Sequence, residues 1–112
     1  ADAIPVQSGQ AYRVSFDYKG KGGAKIWVRC YGFFEGEMRR RYEKVVPCQG
    51  KKNEWTSQSA ILHPTLHRPE VTEMKVMLYA YYPPGVYWFD NLRIEPIPEE
   101  EYRRSSMPVL SK

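Results

Sequence analysis

Residues 11–20 read AYRVSFDYKG, and their alternation decides the fold class. Tyr12, Val14, Phe16 and Tyr18 fall on one face of an extended chain, and Arg13, Ser15, Asp17 and Lys19 on the other. A period of two marks a half-buried strand, since a helix repeats about every 3.6 residues. GKGG (20–23) then supplies turn chemistry. Moving outward, AKIWVRCYGFF (24–34) sets Ala24, Ile26, Val28 and Cys30 against Lys25, Trp27, Arg29, Tyr31 and Phe33. Shorter strands are expected at 40–46, stopped by Pro47, and at 55–62, stopped by Pro64. EMKVMLYAYY (73–82) alternates again, and GVYWFDNLRIEPI (85–97) follows the turn PPG (83–85). A short first strand is expected at 4–7.

Helix signals are few. The one candidate is a turn at 63–70, kept short by Pro64 and Pro69. Short strands between turn clusters predict an all-β fold, an antiparallel β-sandwich of about seven strands. After Pro96 the alternation ends in PIPEEEYRRSSMPVLSK. The expected organisation is a sandwich over 1–96 and a flexible C-terminal tail or linker over 97–112.

The chain has 112 residues, enough for one domain with its own core. Its 42% hydrophobic and 14% aromatic content excludes the disordered class, which is poor in aromatics. No apolar run approaches the ~20 residues of a membrane span. The net charge of +4 tolerates an anionic partner without demanding one. Cys30 and Cys48 form no C-x-x-C pair, which removes the redox, zinc-ribbon and haem-attachment patterns. They either close one disulfide, worth roughly 3 kcal/mol by chain entropy, or remain two thiols that pack as small hydrophobes.

The order of SGQAYRVSFDYKG (8–20), an alternating strand, NEWTSQSA (53–60), VMLYAY (76–81) and GVYWFDNLRI (85–94) resembles one family of folds. It is similar to the galactose-binding-like jelly-roll domains, in particular carbohydrate-binding modules of the family 4, 9 and 22 type. The resemblance implies a non-catalytic carbohydrate-binding accessory module of a larger exported protein, extracellular or periplasmic, with a polysaccharide or glycan as partner. Modules of this type open with a strand bearing a Phe-Glu pair that closes against the final strand. The expectation is therefore a sandwich incomplete at its N-terminus, with a preceding segment or a partner chain supplying that strand. Otherwise the last strand presents a free edge. The resemblance also implies that Asp90 helps hold a structural calcium; no other cofactor is required.

Trp27, Arg29 and Tyr31, with Tyr79 and Tyr81 from a second strand, form the candidate ligand-binding row. Sugars stack their C–H patches on aromatic faces while polar neighbours fix their hydroxyls. The alternative is that a second layer buries these rings. Asp90 has its own alternative, a carboxylate accepting backbone N–H groups where the strand bends. HPTLH places His63 and His67 four apart, a metal-like spacing that Pro64 interrupts. RRRYEK (39–44) mixes cations with Tyr42, but the nearby glutamates favour a charge-guarded edge strand over nucleic acid. No nucleophile elbow, Cys-His pattern or P-loop is present, so an enzyme is the least favoured class. The alternative function is a structural or protein–protein interaction sandwich, docking a partner chain through its open edge or its aromatic face.

Overall fold

The computed structural model describes residues 3–80 and 86–106. Among them the elements run β1 (Ile4–Pro5), β2 (Ala11–Lys19), β3 (Lys25–Phe34), β4 (Glu37–Pro47), β5 (Trp55–Leu62), β6 (Val71–Tyr79), β7 (Trp88–Ile97) and α1 (Glu99–Ser106). All strand pairings are antiparallel. Four strands form one sheet in the order β1-β6-β3-β4, and three form a second in the order β5-β2-β7. This is an all-β sandwich of seven described strands, as the alternation predicts.

The two central strands supply the core. Val14, Phe16 and Tyr18 from β2 meet Ile26, Val28 and Cys30 from β3, all nearly inaccessible to solvent. Burying each large apolar side chain contributes about 1.5–3 kcal/mol. Leu62, Val71 and Met74 extend the layer. The β3–β4 hairpin closes through Glu35 and Gly36, both with positive φ (54° and 83°). Two left-handed residues give a turn whose twist matches the flanking strands. β4 lies at the edge of its sheet. There Arg39 pairs with Glu37 at 2.8 Å, Arg40 with Glu43 at 3.7 Å, and Arg41 with Glu70. The three arginines of the run are thus each paired with a glutamate, in keeping with a charge-guarded edge.

Two expectations are settled differently or more sharply. Cys30 and Cys48 are free and buried. Burial pushes their thiols up to about 12 and about 11, so neither is a nucleophile at neutral pH. The expectation of a flexible tail over 97–112 is corrected for 97–106; residues 107–112 lie outside the described residues. β7 runs through Ile97, and residues 99–106 form α1. Its first turn holds Glu99, Glu100 and Glu101 and its last turn Arg103 and Arg104, which complements the helix dipole. Arg103 bonds Glu99 at 2.8 Å and Arg104 bonds Glu100 at 3.2 Å, both one helical turn apart. Charge order, not an apolar stripe, encodes this helix.

α1 is docked. Buried His63 meets the Glu99 carboxylate through Nε2 at 2.9 Å, and its ring packs edge-on against Tyr102 at 5.3 Å. Arg13 on β2 pairs with Glu101. His63 is therefore a docking residue, while His67 is exposed. Among the described residues no group of three or more His, Cys, Asp or Glu is placed to hold a metal. No described helix is long and apolar enough to cross a membrane.

Candidate functional site

The outer face of the four-stranded sheet carries the row read from the sequence. Register sets Trp27 on β3 across from Met77 and Val45, with Lys25 and Tyr79 one rung to one side and Arg29 one rung to the other. Trp27 and Tyr79 stack with centroids 5.0 Å apart and planes within 8°. The Arg29 guanidinium lies 4.3 Å from the Trp27 centroid and bonds Glu43 at 2.7 Å. Trp27 is thus held between Tyr79 and Arg29, with both faces engaged. Its Nε1–H is buried and has no partner. Tyr31 lies further along β3 beneath the Lys75 ammonium, 5.5 Å from its ring. The structure brings Trp27, Arg29 and Tyr79 into one stack, with Tyr31 beyond it. Tyr81 lies outside the described residues.

Asp90 and Asn91 explain the polar pair inside β7. Ser15 on β2 faces Arg93, yet Asp17, two residues on, faces Asp90, three residues back. One extra residue in β7 makes a bulge, and Asn91 absorbs it with a φ of 53°. Asn is among the few residues that adopt this left-handed conformation readily. The Asn91 N–H donates to Asp90 Oδ1 at 2.8 Å, and its Nδ2 donates to Asp17 Oδ2 at 2.7 Å. Asp90 thus accepts a backbone N–H where the strand bends, as its alternative reading expects, although it is exposed. Calcium takes six to eight oxygens. Asp17, the facing carboxylate, is already engaged by Asn91 and by the Ser57 hydroxyl at 2.7 Å. The described residues around Asp90 therefore do not fit the calcium implied by the resemblance.

A second aromatic arrangement occupies the outer face of the three-stranded sheet. Lys19, the last residue of β2, pairs with Trp55 at the start of β5 and with Trp88 at the start of β7. The two tryptophans thus flank one lysine on a single rung, two strand spacings or roughly 10 Å apart at the backbone. Trp55 is 48% exposed and Trp88 44%. The Lys19 ammonium sits 5.9 Å from one ring and 4.9 Å from the other. The next rung holds Ser57, Asp17 and Asp90, and the one after it Ser59, Ser15 and Arg93. Hydrogen bonds from Asn91 and then Ser57 hold the Asp17 carboxyl below its ordinary range, so it is an anion at neutral pH. Farther along, the Arg13–Glu101 pair brings α1 against this face.

Against known proteins, the chain matches no family model, no curated protein and no solved structure. Its chemistry is therefore read from the two faces. On the four-stranded face the indole is already stacked. On the three-stranded face two half-exposed indoles share, among the described residues, the half-buried Lys19 ammonium, an interaction of about 0.5–1 kcal/mol that a ligand can displace. Trp55, Trp88 and Lys19 are the residues sequence reasoning missed. Their signal lies in strand pairing rather than in any one strand: β2, central in its sheet, sets its last residue beside the first residues of both neighbours.

Proposed function

We propose that the chain is a non-catalytic carbohydrate-binding sandwich, wound as a jelly roll of the galactose-binding-like type and serving as an accessory module of an exported protein. Its glycan lies on the outer face of the three-stranded sheet. The observation carrying this reading is the Trp55–Lys19–Trp88 rung with a polar rung beside it. Two indoles stack on the C–H faces of sugar rings. Asp17, Ser57 and Asn91 exchange hydrogen bonds with hydroxyls on one flank, and Lys19 donates from between the rings. Few polar groups converge, so affinity is modest and rests on the aromatic contacts. The four-stranded row contributes structure: Trp27 is engaged by Tyr79 and Arg29 before any ligand arrives.

Affinity electrophoresis through gels loaded with neutral or acidic polysaccharides tests the reading. At least one neutral polysaccharide should retard the chain, and Trp55→Ala with Trp88→Ala should remove the retardation. Retardation that survives the double substitution, or none in any gel, would refute it.

A further inference from the structure

β7 pairs with β2 on one side and with no described strand on the other. Its outward residues are Trp88, Asp90, Arg93 and Glu95, and its inward ones include Phe89 and Ile94. Asp90 and Arg93 are three apart, a separation that would put them on opposite faces of a regular strand. The bulge at Asn91 returns them to the same face. Both are exposed. Asp90 bonds only the adjacent Asn91 N–H, and Arg93 makes no hydrogen bond or ion pair among the described residues. Beside them a cleft of 270 Å³ opens into the sandwich, lined in part by Phe16, Ile26, Leu78, Phe89 and Leu92. Leu78 faces buried Ile26 in the register yet is 50% exposed.

We infer that this edge joins a second copy of the chain, β7 to β7, antiparallel about a twofold axis between Asn91 and Leu92. In that register Asp90 of each copy faces Arg93 of the other, Phe89 faces Ile94, and Trp88 faces Glu95. Antiparallel partners directly opposite each other share a face. Each of these three pairs does so only because of the bulge. The pattern is self-complementary, as an interface about a twofold axis requires. Leu92 of each copy comes to the mouth of the other's cleft, near the exposed Leu78. Pro96, which has no N–H to give, lies beyond the paired segment. Charges and bulges also guard edges against pairing. On β7, in the register above, opposite signs meet twice. The two three-stranded sheets become one sheet of six strands, with both tryptophan rungs on one face.

Sedimentation equilibrium on the 112-residue chain, with charge exchange at the two positions, tests this. The unmodified chain is expected to be a dimer. Asp90→Arg alone and Arg93→Asp alone set like charges opposite each other twice, and each should raise the dimer Kd at least tenfold. Combining the two restores both pairs and should return the Kd to within a few-fold of the unmodified value. Circular dichroism melts of all four proteins separate loss of pairing from loss of folding. An unmodified chain that is monomeric throughout the soluble range overturns the inference. So does a doubly exchanged chain that stays monomeric while folded, or a β7 edge that takes up a strand from an unrelated polypeptide instead.

Discussion

On the four-stranded face Trp27 lies between Tyr79 and Arg29, while on the three-stranded face Trp55 and Trp88 stand on one rung with Lys19 between them. The same residue types do different work in the two places. Trp27 is mid-strand on β3, between two paired strands, so cross-strand neighbours fill the space on either side of its ring. Trp55 and Trp88 begin edge strands, which among the described residues have a neighbouring strand on one side only. Position in the sheet, rather than aromaticity, separates a packed indole from one available to a ligand.

The largest effect should come from the open face. Trp55→Ala and Trp88→Ala should each weaken glycan affinity by more than tenfold, as exposed aromatic anchors do. Thermal melts should barely move. Trp27→Ala should do the reverse. Losing its stack and partial burial should cost about 2 kcal/mol and lower the melting temperature by several degrees, with affinity unchanged. If Trp27→Ala abolishes binding at full stability, the assignment of the two faces is reversed.

Asn91→Val sharpens the comparison at intermediate size. A β-branched residue at a φ of 53° costs about 1–2 kcal/mol. It also removes one of the two donors that hold Asp17. Stability should fall by that amount in a urea titration, and glycan affinity should fall with it because the bulge orients the strand bearing Trp88.

The smallest effect concerns α1, which closes one end of the open face. Glu99 is held below its ordinary carboxylate range, first by its hydrogen bond to His63 and then by the charge of Arg103. A depressed folded-state value means the docking contribution is complete above the ordinary range and is lost as pH falls through the folded value. Acid should therefore loosen α1 before the sandwich unfolds, seen as faster amide exchange over 99–105 at unchanged exchange in β2 and β3. Glu99→Gln should remove most of that pH dependence.

Much of this was legible before the structure. Alternation in 11–19 and 25–34 places Val14, Phe16, Ile26 and Val28 in the core, where they lie. It also places Trp27, Arg29 and Tyr79 on one outer face, but period two says nothing about whether side chains on that face pack together. The open rung was illegible to a strand-by-strand reading because its members are distant in sequence and meet only through register. α1 escaped because its stability comes from charge order and from docking on His63. Asp90 was legible as a residue at a strand bend, and the bulge at Asn91 is that bend.

Glycan is expected to meet Trp55 and Trp88 and to leave Trp27 alone. The chain has three tryptophans, so a nitrogen–proton correlation spectrum carries three indole signals, each assignable by single substitution. Titration with the polysaccharide that retards the chain should shift the Trp55 and Trp88 signals together and saturably, leaving Trp27 in place. A shift of the Trp27 signal with Trp55 and Trp88 unmoved would contradict it.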